Sequence, residues 1–373
     1  MKGLWERRVD DRQVSLALGL AILLLLFTTP SQGDRDPKGK SRIEGRWWQS
    51  AAIDPRVWNV RFNRVSQVAC HNCYEPHLFT DETGEELPFS KTLDHVTAVE
   101  IDIWDTYSPL PLSTGMKRDW YVRHGAWGSL YGNHSNCSAP GSLSACLKDI
   151  NDWSDRNPGH FPVTIFLDKK QRWSQKGQMR QFSDLSWLLK KVFGNKLYKP
   201  RHIVSLNDAK QQAPKGWKWP LVKDMAGRII VVVNGGNFLL DNATRMISPD
   251  NSTYNTTIDE LSLFLNTAAA FAGPYAYSSK DFSRLPLNMT NTTVFLNTNH
   301  STARQSLFEL MEVSRGRQLV RLWNVDDIDF CSYPSLGVSY AAYYDFRNVH
   351  CKGYVTVPIN RTFRDSESII PER

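Results

Sequence analysis

The sequence predicts an α/β protein folded as a single (β/α)₈ barrel of the TIM type, regular or distorted. Two observations carry that expectation. Eight apolar runs of strand length alternate with amphipathic or long connections. The first four of these runs also end in polar, chemistry-bearing residues, as strands do when they open on one rim. A chain of 373 residues that is 41% hydrophobic and 22% charged can bury a core of that size. A two-domain doubly wound alternative would need a Gly-rich dinucleotide turn after its first strand, and none follows.

In order, the runs are Val65–Cys70, Val99–Trp104, Trp120–Arg123, Val163–Leu167, Gly227–Val233, Thr293–Leu296, Leu319–Trp323 and Gly337–Tyr343. Between them, residues 142–154 place Leu143, Cys146, Leu147, Ile150 and Trp153 on one helical stripe, which Asn157-Pro158-Gly159 ends. Residues 179–197 repeat the pattern through Phe182, Leu185, Leu188, Leu189 and Val192. Residues 261–271 and 302–313 read as further helices. Residues 235–289 exceed an ordinary loop and read as an insertion within the barrel domain, which spans residues 47–373.

The N-terminus resembles an export signal. A polar, charged start is followed by an apolar run from Val14 to Phe27, short for a span of about 20 residues, and then by small and helix-breaking residues. Residues 1–33 are therefore expected to be a cleaved signal peptide, ahead of an uncleaved signal anchor, and residues 34–46 a loose leader. Asn-X-Ser/Thr acceptors stand at Asn133, Asn136, Asn242, Asn251, Asn255, Asn288, Asn291, Asn299 and Asn360. Their clustering between Asn242 and Asn299 marks the insertion as a glycosylated flank. Six cysteines are an even number that suits disulfides, and nearest neighbours suggest Cys137–Cys146 and Cys331–Cys351. Cys70 and Cys73 remain, either as buried thiols or joined; joined, they would make the turn between them unusually rigid. Neither a second Cys-X-X-Cys nor a His pair accompanies them, which argues against a metal site there.

The chemistry-bearing exits are specific. The first strand leads into His71 and Asn72, the third into His124, and the fourth into Asp168. Within the second, Glu100 and Asp102 are two apart and share a face, while Val99, Ile101 and Ile103 take the other. Inward carboxylates are costly without an ion or partner. Three carboxylates and an amide oxygen form a hard donor set that suits Ca²⁺ or Mg²⁺. Two imidazoles beside such an ion suit acid–base work on a phosphodiester. The net charge of +7 suits an anionic partner. Nucleic acid has no motif here and conflicts with export, and no obligate protein partner is evident.

At these residues the chain resembles the phosphatidylinositol-specific phospholipase C superfamily, in its secreted calcium-dependent branch. The resemblance rests on His71-Asn72-Cys73-Tyr74, Val99-Glu100-Ile101-Asp102-Ile103-Trp104, Arg123-His124-Gly125 and Leu167-Asp168-Lys169-Lys170. It implies that Asn72, Glu100, Asp102 and Asp168 ligate Ca²⁺, with Mg²⁺ the alternative. It implies catalytic roles for His71, His124 and Glu100, with Arg123 and Lys170 as phosphate contacts. The implied substrate is a phospholipid at a membrane surface, engaged by loop tryptophans such as Trp104, Trp127, Trp173, Trp217 and Trp219. The match departs at Cys70 and Cys73, where small or hydroxyl residues are usual in the family. The fourth ligand is Asp where many intracellular members have Glu. The nearest alternatives are a sphingomyelinase D-like or glycerophosphodiester phosphodiesterase, or a non-catalytic extracellular glycoprotein on the same barrel. The Asn directly after His71 favours the phospholipase reading.

Overall fold

A computed structural model of the chain describes residues 52–76, 79–81, 83–105, 119–125, 135–138, 141–171, 180, 182–199, 202–203, 219–235, 264–265, 294–300, 319–326 and 330–359. Its strands are β1 (Val65–Cys70), β2 (Ala98–Trp104), β3 (Tyr121–Val122), β4 (Val163–Lys169) and β5 (Ile229–Gly235). They continue with β6 (Phe264–Leu265), β7 (Phe295–Asn299), β8 (Leu319–Val325), β9 (Tyr340–Tyr343) and β10 (Thr356–Pro358). The helices are α1 (Leu143–Arg156), α2 (Phe182–Phe193) and the short α3 (Tyr333–Leu336).

Eight strands run parallel in the order β6-β5-β4-β2-β1-β9-β8-β7. The path rises through the chain on one side of β1 and returns through it on the other, as a barrel requires. β6 and β7 form its two ends, with no pairing between them among the described residues. The expected count of eight holds, but its membership changes. β3 is an antiparallel addition to β2, pairing Ile103 with Val122 and Trp104 with Tyr121. The missing parallel place is taken by β6, which pairs Val232 with Phe264 and Val233 with Leu265 inside the stretch expected to be helical. Residues 235–289 therefore contain a barrel strand as well as any insertion. β10 adds antiparallel to β1.

Strand alternation sorts the side chains into two cores. Val99, Ile101 and Ile103 of β2, Val163, Ile165 and Leu167 of β4, and Ile229, Val231 and Val233 of β5 pack outward. They meet Leu143, Cys146, Leu147 and Ile150 of α1 and Leu185, Leu188 and Leu189 of α2. The opposite parity supplies Ala69, Ala98, Phe166, Ile230, Val232, Phe295 and Tyr340 to an inner core, floored by Phe62, Trp219 and Val222. Helix α1 starts without a cap from Ser142 itself. Instead, Asp119 reaches it from just before β3, accepting from the Ser144 amide at 3.1 Å and from the Ser142 hydroxyl at 2.7 Å. The carboxylate thus meets the positive end of the helix dipole. Cys137–Cys146 and Cys331–Cys351 are disulfides as expected, and Cys70 and Cys73 are joined too.

Candidate active site

Above the inner core, the inward-facing positions change from apolar to charged. Ala98 is followed by Glu100 and Asp102 on the same face of β2, and Phe166 by Asp168 on β4, with Lys170 just past the strand's end. The parallel register sets Asp102 directly beside Asp168. Glu100, Asp102 and Asp168 each offer an oxygen, and the three lie within 4.8 Å of one another. Glu100 and Asp102 are 4% and 0% exposed, so water does little to screen their repulsion.

Two cations answer that charge. The Lys170 ammonium stands 2.8 Å from Asp102 Oδ2 and 2.6 Å from Asp168 Oδ2. Burial alone would push Lys170 down, but Asp102, Asp168 and Glu100 together override it and hold it charged. From the far side of the barrel, Arg321 of β8 brings Nη2 within 2.9 Å of Glu100 Oε2, an ion pair that falls short of hydrogen-bond geometry. Its Nη1 donates to Asn297 Oδ1 at 2.9 Å, and its guanidinium lies 4.6 Å over the Phe166 ring. Burial favours a neutral Glu100, but Arg321 and then His71 overcome this and keep it ionised. Asp102 goes the other way: burial, with the charges of Asp168 and Glu100, pushes it up to about 8.

The imidazoles are separated by environment. His71 Nε2 is 3.3 Å from Glu100 Oε2, and its ring is flanked by Tyr344 at 4.3 Å and Trp323 at 5.9 Å between centroids. Burial pushes His71 down to about 4, so it is neutral near pH 7. His124 is half-exposed, and its Nδ1 lies 2.7 Å from Glu75 Oε1. The hydrogen bond to Glu75 raises it above the usual imidazole value. Asn72 takes a left-handed backbone at φ 57°, which Asn tolerates better than most residues. Its amide nitrogen stands 3.5 Å from His124 Nδ1.

The residues fit a hard divalent cation. Asn72 Oδ1 and Asp102 Oδ1 are buried without hydrogen-bond partners, an expensive arrangement for acceptors unless an ion takes them up. Oxygen donors of this kind suit Ca²⁺, with Mg²⁺ the stricter alternative.

The other expected residues are placed as follows. Arg123 is 1% exposed, with its guanidinium 4.6 Å over the Trp104 ring. Trp219 is fully buried in the lower core, 5.2 Å from Phe62, and no part of it can reach a lipid. Trp104 donates its Nε1 to the Arg123 carbonyl at 2.9 Å. Asn136 donates its amide nitrogen, the atom that a glycan would take, to the Leu87 carbonyl at 3.0 Å. Asn299 ends β7. The signal and leader, the helix at 302–313, Trp127, Trp173, Trp217 and the remaining acceptors lie outside the described residues.

Sequence reasoning missed Arg321, Glu75 and Tyr344. Arg321 carried a signal, being a lone charge at inward parity inside an apolar strand. Glu75 and Tyr344 carried none, since their partners lie far along the chain.

Known proteins match the chain over most of its length. A family profile described as "Phosphoinositide phospholipase C, Ca2+-dependent" matches residues 133–270. A calcium-dependent phosphoinositol-specific phospholipase C from a Gram-negative Pseudomonas species is 30% identical, with a TM-score of 0.64. That match covers 83% of this chain and 99% of the bacterial one. A structure of a Pseudomonas enzyme of the same description, titled as a myoinositol complex, matches at 29% identity over 82% of this chain and 98% of its own. A Ca²⁺-dependent phosphatidylinositol-specific phospholipase C from Streptomyces antibioticus shares the fold, at 17% identity and a TM-score of 0.57 over 80% of this chain and 99% of its own. No curated protein matches the chain.

Proposed function

The chain belongs to the calcium-dependent phosphoinositide phospholipase C family and is a phosphoric diester hydrolase; from that premise we propose the reaction, the site roles and the setting that follow. The substrate is phosphatidylinositol, or the inositol of a glycolipid, at a membrane surface. The products are diacylglycerol and inositol 1,2-cyclic phosphate. The observation that carries this reading is the triplet Glu100, Asp102 and Asp168 within 4.8 Å, between one neutral and one charge-favoured imidazole.

Glu100, Asp102, Asp168 and the Asn72 carbonyl would hold Ca²⁺, which when bound supplies positive charge to the phosphate and to the inositol 2-hydroxyl. The His71–Glu100 pair accepts the 2-hydroxyl proton as that oxygen attacks phosphorus; His71 is neutral and therefore able to accept it. His124, whose protonated form the hydrogen bond to Glu75 favours, donates to the departing diacylglycerol oxygen. The deprotonated His124 can afterwards activate water to open the cyclic product. Lys170 contacts the phosphate. Two imidazoles driven apart in this way assign acid and base.

Six cysteines paired in three disulfides support an oxidising, extracellular setting, with residues 1–33 as the signal. Among the described residues, no helix is long and apolar enough to cross a membrane.

Phosphorus NMR of the purified protein with phosphatidylinositol vesicles, with Ca²⁺ and then with chelator, tests the reading. It expects a Ca²⁺-dependent cyclic phosphate signal that is absent in His71→Ala and His124→Ala. A cyclic product from sphingomyelin or a lysolipid alone would overturn the proposed substrate, and silence on every lipid would overturn the proposed reaction.

A further inference from the structure

We propose that the Cys70–Cys73 disulfide is a positioning element of the active site and makes assembly of that site depend on an oxidising environment. The inference rests on the roles given above to His71 and Asn72. The three disulfides close very different loops, with sequence separations of 3, 9 and 20. A cross-link restrains the unfolded chain more as its loop lengthens, so the shortest contributes least to global stability. It encloses His71 and Asn72 and nothing else.

The turn is held at both ends by backbone bonds. The His71 amide donates to the Tyr343 carbonyl at 2.8 Å, and the Glu75 amide to the Asn72 carbonyl at 2.9 Å. Between them, Asn72 sits in the left-handed region at φ 57°, a conformation that a free loop leaves readily. Cys70 and Cys73 are 1% and 0% exposed and pack within the outer core, so the bridge ties the turn to the sheet. A disulfide brings its sulfurs to about 2.05 Å. Two thiols need about 3.5 Å or more, as non-bonded heavy atoms do. In a close-packed interior that separation is passed to the intervening backbone.

Reduction therefore displaces a metal ligand and a catalytic imidazole without opening the barrel. Closure transfers two electrons and two protons from the Cys70 and Cys73 thiols to a small-molecule disulfide such as oxidised glutathione, which leaves as two thiols. A chain still in a reducing compartment is latent by this account, and oxidation on export completes its site.

The test compares Cys70→Ala/Cys73→Ala with Cys331→Ala/Cys351→Ala, reading Ca²⁺ affinity by calorimetry, turnover by phosphorus NMR and Tm. The first pair should weaken Ca²⁺ binding at least tenfold and lower kcat while losing less Tm than the second. The second should keep its Ca²⁺ affinity within twofold. Ca²⁺ affinity and kcat both within twofold of wild type in the first pair would overturn the proposal. Cys70→Ser/Cys73→Ser serves if the alanine pair does not fold. If wild type itself binds no Ca²⁺, the phospholipase reading fails, and amide exchange at Glu75 then decides this proposal alone. Lost protection in the alanine pair supports positioning, and retained protection refutes it. Wild type in progressively reducing glutathione buffers should lose Ca²⁺ affinity before its near-ultraviolet circular dichroism; simultaneous loss refutes the redox dependence.

Discussion

Lys170 bridges Asp102 and Asp168, its Nζ 2.8 Å from one carboxylate and 2.6 Å from the other. The ammonium thus contacts two of the three carboxylates that would hold a metal, so lysine and dication compete for the same oxygens. Lys170→Met should therefore bind Ca²⁺ about tenfold more tightly, near 1.4 kcal/mol, in calorimetric titration. Its turnover should fall, because a phosphate contact is lost. Weaker Ca²⁺ binding in the variant would show that Lys170 supports the metal rather than opposing it.

The raised Asp102 makes the chelated protein sensitive to pH. Its folded value of about 8 lies above its ordinary 3.8, so the fold favours the neutral acid. The associated stability is complete below the ordinary value and is lost as pH rises toward 8. Urea unfolding in chelator should show stability falling across that window, and Asp102→Asn should flatten the fall. With Ca²⁺ at 100 times its Kd, wild type should gain about 2.7 kcal/mol, and Asp102→Asn should gain much less.

His124 depends on Glu75 for its proton. The 2.7 Å contact raises His124, so removing the carboxylate lowers it again. A general acid must be protonated, so the alkaline limb of kcat should move to lower pH in Glu75→Gln. The loss should be greater at pH 8 than at pH 6. His124→Ala should lose roughly 10²–10⁴ in kcat at all pH values. A Glu75→Gln profile superimposable on wild type would show that the contact does not tune the acid.

Arg321 neutralises Glu100 inside the barrel, where both side chains are nearly inaccessible. Arg321→Met leaves a buried carboxylate without its cation and should cost about 3–5 kcal/mol in urea unfolding. Arg321→Met combined with Glu100→Gln should recover part of that loss, since no unpaired charge then remains. A double variant no more stable than the single would assign the cost to lost packing on Phe166.

The barrel was legible where local pattern and burial agree. Glu100 and Asp102 alternating with Val99, Ile101 and Ile103 announced a strand with one charged inner face, and the two cores divide along that line. Tyr121–Val122 misled because antiparallel and parallel strands share one alternation, and only the partner distinguishes them. Phe264–Leu265 misled in the opposite sense. Two residues carry too little period to outweigh the helical spacing around them, and pairing with β5 decided their conformation.

The amino-acid order by itself determined which residues carry charge, which strands could aim them inward, and that His71, Asn72, Glu100, Asp102, His124 and Asp168 belong near strand exits. Those are consequences of a two-residue period acting over a few neighbouring positions. Only the tertiary structure decided the charge balance. Arg321 meets Glu100 from the opposite side of the barrel, Glu75 reaches His124 from another loop, and Cys70 is joined to Cys73 around the turn. Barrel curvature brings distant stretches within a few ångströms, and at such distances in a dry interior electrostatics outweighs local preference.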